Sequence, residues 1–250
     1  MEKIQSYNPP DLGGLFEKYS PYFKEARRRL LTTLVVFALS TIAGFIFYED
    51  IIRFFVGTLS LEGVNIVFTS PFQFINLAFS CGVVTGLVIA LPLFVFQILH
   101  FLKPALNFKE YKTILRFLPF SLILFLMGFT FGAVIMRWQI EIFLERSISL
   151  GIGNILDISG LLSIVLLTCA LMGAGFQFPI VLLLLLRLGI IKHHHISSKR
   201  KWFYLGSFIF VMFLPPDSIL TNIILTLPFI FLFEITLILD LIFNRERRKK

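Results

Sequence analysis

The sequence predicts an all-α membrane protein, with six transmembrane helices in one concave bundle and both termini on the cytoplasmic side. Three observations carry that prediction. First, 57% of the 250 residues are hydrophobic, 31 of them Phe, and mean hydropathy is +0.87, beyond the range of an ordinary soluble domain. Second, there are six apolar runs: Leu30 to Tyr48, Phe79 to Phe101, Ile114 to Met136, Leu161 to Leu186, Trp202 to Leu214 and Ile223 to Phe243. Most approach the roughly 20 residues that cross a hydrocarbon core of about 30 Å, and none alternates as a barrel strand does. Third, six spans put twenty of the 23 Lys and Arg on the side of the termini and only Arg53, Arg137 and Arg146 on the other. That bias fixes orientation. The net charge of +8 therefore calls for no nucleic acid.

In chain order, residues 1–21 read as a mobile cytoplasmic segment, polar and broken by Pro9-Pro10 and Gly13-Gly14. The transmembrane domain is expected over 22–243, and 244–250 is a basic cytoplasmic tail. Tyr22 to Leu30 reads as a helix at the interface turning into the first span, with Pro21 in its first turn. No cleavable signal is expected before that span. The loop from Glu49 to Ala78 is expected to be a structured cap, in which Ile51, Ile52, Phe54, Phe55 and Leu59 share one helical face. Pro92 in the second span, Pro119 at the start of the third and Pro179 in the fourth bend their helices, which argues for a concave bundle.

The outer loop from Arg137 to Gly160 is expected to hold a helical turn or two. The fifth span has thirteen residues, about 20 Å of helix, so it must thin the bilayer or lean on partners. Pro215-Pro216-Asp217 turns the chain outside, and the sixth span, with Pro228, Glu234 and Asp240, has a similarly short membrane portion. Cys81 and Cys169 lie within apolar runs and predict no disulfide.

The polar exceptions are the candidate functional residues. Phe101 to Glu110 joins two spans by a short corner: Pro104 stops the preceding helix and leaves Glu110 in the headgroup zone. Glu25 sits in a similar position before the first span. Gln177, within Gly173-Ala174-Gly175-Phe176-Gln177-Phe178-Pro179, must find hydrogen bonds at bilayer depth. It faces either a partly wet concavity that meets a partner's helix, or packed neighbours that the small residues bring close. Glu234 is either an intramembrane functional acid or a group reaching the headgroups. His193-His194-His195 reads as a solvated basic loop, because three consecutive imidazoles cannot face one metal and no acid or thiol adjoins them. No metal or cofactor is expected. Without a phosphate loop, a nucleophile elbow or a clustered catalytic set, the chain is not expected to be an enzyme.

Taken together, these pieces resemble the TatC family, the polytopic subunit of the twin-arginine protein translocase. The resemblance runs from about Tyr22 to Leu239. It rests on Glu25-Ala26-Arg27-Arg28-Arg29-Leu30, on Phe101-Leu102-Lys103-Pro104-Ala105-Leu106 with Glu110, on Phe176-Gln177-Phe178-Pro179-Ile180, and on Pro215-Pro216-Asp217 with Pro228 and Glu234. The chain departs from the family at Gln177, where Glu is usual.

The resemblance implies a subunit that recognises signal peptides bearing paired arginines and helps to export folded proteins, driven by the proton-motive force. It implies Glu25, Glu110, Arg27 and Phe101 as the signal-peptide site. It also implies Gln177, Pro215, Asp217 and Glu234 as positions for partner helices or intramembrane polarity. The implied partners are small single-span subunits of the TatA and TatB type, twin-arginine signal peptides, the lipid bilayer and further copies of the chain. The implied location is the cell inner or plasma membrane, or an organellar one. The chemistry agrees, since a planar guanidinium meets a carboxylate in paired, charge-assisted hydrogen bonds and two adjacent arginines call for two acids. A small-solute transporter would also use bent helices and midplane polarity, but no convincing internal repeat supports that alternative.

Overall fold

In a computed structural model, residues 12–59, 65–67, 70, 72–101, 118–151, 155–187, 189–191, 193–215 and 218–248 are described. Their elements are, in order, α1 (Leu12–Ile46), α2 (Tyr48–Leu59), β1 (Asn65–Val67), α3 (Gln73–Phe101), α4 (Leu118–Ser149), β2 (Ile155–Asp157), α5 (Ile158–Gly175), α6 (Phe178–Arg187), α7 (His193–Ser198), α8 (Arg200–Met212) and α9 (Ile219–Arg248). Five stretches among the described residues are long and apolar enough to cross a membrane, and α5 with α6 form one of them. The thirteen-residue α8 is shorter than these.

Several boundaries differ from the sequence reading. Helix α1 begins at Leu12 and runs without a break into the first apolar stretch, so helix replaces the expected change of character at Pro21. Helix α4 continues to Ser149, more than three turns beyond Met136, where a loop was expected. Arg137 supports that extension by donating from Nε to Glu141 Oε1 at 2.9 Å, one turn ahead. Gly151, at φ 69°, takes the left-handed conformation that closes such a helix. The segments between α2 and α3 and between α4 and α5 also form a small parallel pair that the sequence reading missed, in which Asn65, Ile66 and Val67 face Ile155, Leu156 and Asp157. Three-residue strands leave too short an alternation to be read from sequence.

The fourth apolar run is two helices, not one bent one. Pro179 has no N–H and its ring would strike the carbonyl four residues back, so α5 stops at Gly175 and α6 restarts at Phe178 with Pro179 in its first turn. The turn between them is closed by Phe176 N–H to the Met172 carbonyl and Gln177 N–H to the Ala174 carbonyl, each at 3.0 Å.

Two cores result. One gathers Phe55 and Leu59 of α2, Leu77 and Cys81 of α3, Met136 of α4 and Leu162 to Ala170 of α5; both cysteines are free and buried in it. The α2 face is built from Ile51, Ile52, Phe55, Val56 and Leu59. Phe54, placed on that face by the sequence reading, is instead 67% exposed. The second core joins Ile135 of α4, Met172, Phe176 and Val211 to Leu225 and Phe229 of α9.

Helix α1 packs outside these cores, against α3. A Cβ on Gly86 would lie 2.4 Å from Thr41 Oγ1, and one on Gly82 2.8 Å from the Thr41 carbonyl. The two backbones therefore approach as closely as only glycine permits. That approach brings the turn of α1 that carries Glu25 and Arg29 beside Gln97 of α3.

Candidate functional site

Glu25 lies one turn before Arg29 on α1, and i to i+4 spacing puts the two on one face. Arg29 donates to Glu25 Oε1 from Nε at 3.1 Å and from Nη2 at 2.5 Å. Its third nitrogen, Nη1, reaches across to the Gln97 carbonyl of α3 at 3.5 Å. Two helices thus hold one guanidinium, which holds one carboxylate oxygen. The Glu25 side chain remains 44% exposed, and its Oε2 has no hydrogen bond among the described residues. The surroundings are strongly cationic: Arg27, Lys24, Arg28 and Leu31 line an open groove of about 490 Å³ along α1. Helix α3 ends at Phe101, from which the chain enters residues 102–117. Glu110 and the Phe101 side chain lie outside the described residues, as does Asp217. Glu25 and Arg27 are thus placed together where the apolar stretch of α1 begins, while Arg29 and Gln97 complete the cluster around Glu25. Sequence reasoning passed over Arg29 because a third arginine in a basic run carries no signal of its own, and over Gln97 because it lies 68 residues away.

Gln177 is buried, at 4% exposure. Ser121 Oγ of α4 donates to its Oε1 at 2.5 Å, and its Nε2 donates to the Ser121 carbonyl at 3.0 Å. The side chain is pinned across the turn between α5 and α6 rather than presented to a wet concavity, so of the two alternatives the packed one describes its surroundings.

Glu234 joins α8 to α9. Tyr204 Oη donates to its Oε1 at 2.5 Å, and Arg200 Nη1 lies 3.4 Å from its Oε2. Beside it, Phe203 stacks on Phe233 with ring centroids 3.9 Å apart. The short helix is therefore tied to its neighbour at the end where its charges lie. Pro215 is half-buried just past α8. His193, expected in a solvated loop without an acidic neighbour, opens α7 and bonds through Nδ1 to Asp240 Oδ2 at 2.9 Å. That acid is 47 residues away, so no local reading could supply it.

The fold, with five stretches long and apolar enough to cross a membrane among the described residues, defines a multi-pass helical membrane protein. The family model for "Sec-independent protein translocase protein (TatC)" matches residues 21–228, and the chain belongs to that family. It is 29% identical over 235 residues to the Sec-independent protein translocase protein TatCy of Bacillus subtilis, covering 91% of this chain and 90% of that one. The TatC of Listeria innocua is 30% identical over 224 residues, covering 88% and 89%. A crystal structure of the twin-arginine translocase receptor TatC in DDM superposes with a TM-score of 0.77 at 24% identity, over 88% of this chain and 99% of that one. That likeness carries the fold.

Proposed function

We propose that this chain is the signal-peptide receptor of a twin-arginine translocase, and that Glu25 and Glu110 together bind the paired arginines of a cargo signal. The observation that carries the proposal is Glu25 itself: a half-exposed carboxylate where the apolar stretch of α1 begins, fixed through one oxygen and open at the other. Arg27 tunes the field around it, and Phe101 leads the chain from α3 toward Glu110. In this reading α8 is a sixth, short span, both termini are cytoplasmic, and export of folded cargo draws on the proton-motive force. Small single-span partners of the TatA and TatB type dock where the bilayer is thinnest, along α8 and α9 with Pro215 and Asp217 at the outer turn. Glu234 keeps those helices in place, Gln177 holds the turn between α5 and α6 against α4, and several copies of the chain assemble in the receptor complex.

Removing one acid removes one charge-assisted contact, about 1.5 to 3 kcal/mol when desolvated, or roughly tenfold to a hundredfold in affinity. The test is binding of a twin-arginine peptide, in nanodiscs, to the unaltered protein, Glu25→Ala, Glu110→Ala and the double variant. Equal affinity in all four would make these acids solvated surface charges and would end the proposal.

A further inference from the structure

The contacts of Glu25 raise a question that the receptor reading leaves open. A carboxylate meant for a cargo arginine already holds an arginine of its own chain. An ordinary i to i+4 ion pair on an exposed helix stabilises little and rearranges freely. This one differs in two ways. Arg29 is only 24% exposed, and it reaches a second helix through the Gln97 carbonyl. Lys24, Arg27 and Arg28, the other cations of this turn, are exposed, and among the described residues only Arg29 meets the carboxylate.

Gln97 supplies a second, independent observation. Its side chain is buried, at 9% exposure, and its Oε1 has no hydrogen-bond partner among the described residues. A buried acceptor without a donor is costly, and this one belongs to the residue whose backbone oxygen Arg29 Nη1 already approaches.

We propose that Arg29 is a resident stand-in for the cargo arginine: it holds Glu25 in position before cargo arrives, yields Oε1 once the incoming guanidinium has engaged the open Oε2 and needs both oxygens for its fork, and turns onto Gln97 Oε1. The proposal rests on the reading of Glu25 as a receptor for paired arginines and adds the source of its selectivity. Exchanging one guanidinium for another leaves the carboxylate with an equivalent planar fork, so arginine enters with little net loss. An ammonium has no fork, and evicting Arg29 for it gives up a better contact for a poorer one. Arg29 therefore weakens binding of every cation but weakens lysine most.

The test measures Kd for paired-arginine and paired-lysine peptides on the unaltered protein in nanodiscs and on Arg29→Gln, Arg29→Lys, Gln97→Leu, Arg29→Gln with Gln97→Leu, and Glu25→Ala. Arg29→Gln is expected to bind the lysine peptide about tenfold more tightly and the arginine peptide no more than about threefold, so the preference shrinks. Arg29→Lys keeps the charge without the fork and should fall between. Gln97→Leu should weaken the arginine peptide about threefold while Arg29 is present, and have no effect once Arg29 is Gln. A preference unchanged in both Arg29 variants would overturn the inference and leave Arg29 a structural tie. Unchanged binding in Glu25→Ala is a separate result, which would remove the receptor reading beneath it.

Discussion

The first and fourth apolar stretches of the chain are similar in composition and nearly so in length, yet their places in the molecule are opposite. Of an 18-residue apolar segment of the first, within Phe23–Ile46, 6% is buried; of one in the fourth, within Ile158–Leu186, 67% is. Apolar character brings both into the membrane, where lipid and protein interior are equally good solvents for Leu or Phe. Position in the bundle is decided by other residues. Helix α1 meets α3 along Thr41, Gly82 and Gly86 and shows the rest of its surface to lipid. Helix α5 is gripped on several sides by α3, α4 and the second core. The peripheral helix carries the exposed acid, and the central one carries the buried amide.

Overpacking should separate the two regions most sharply. A Cβ on Gly128 would lie 2.6 Å from Phe176 Cγ and 2.7 Å from the Met172 carbonyl, and that backbone cannot step aside. Gly128→Leu is expected to cost about 3 kcal/mol of stability, read as a fall in the unfolding midpoint in detergent. Gly86→Leu meets Thr41 Oγ1 at 2.4 Å and the Phe37 ring at 2.9 Å, but the helix it pushes away is peripheral. It should lower peptide affinity while leaving the unfolding of the remaining bundle nearly unchanged. Equal losses of stability in the two variants would erase the distinction between rim and core.

A smaller effect is expected at the turn between α5 and α6. Gln177→Leu leaves the buried Ser121 hydroxyl without its acceptor, at about 1 to 3 kcal/mol. Adding Ser121→Ala should recover part of that loss, because the stranded group is then gone. A double variant no more stable than Gln177→Leu would mean that the bond is not what holds the turn.

Much of this was legible in the sequence. Long apolar runs and a proline in the fourth one are local signals; the runs read correctly as membrane helices, and the proline marks the place where the fourth run divides into two helices rather than bending. What was not legible depends on long-range pairing. Arg29 becomes special only when glycines on α3 let Gln97 come near, and Gln177 is answered by Ser121, 56 residues earlier. His193 finds Asp240 by the same kind of distant meeting. The extension of α4 past Met136 was missed because Arg137 and Glu141 read as loop charges until their spacing is seen as one helical turn. Phe54 was misplaced because apolar character alone does not fix which way a helix turns its stripe.

The central claim, that cargo is received at the half-exposed Glu25 of α1 rather than in the packed interior, is tested most directly by site-specific crosslinking. A twin-arginine peptide with a photoreactive side chain beside its arginines would be bound to the protein in nanodiscs, illuminated, and the attachment points mapped. The account predicts attachment to α1 within about a turn of Glu25 and to residues 101–110, abolished when the peptide arginines are replaced. Attachment confined to the neighbourhood of Gln177, or unaffected by loss of the arginines, would contradict it.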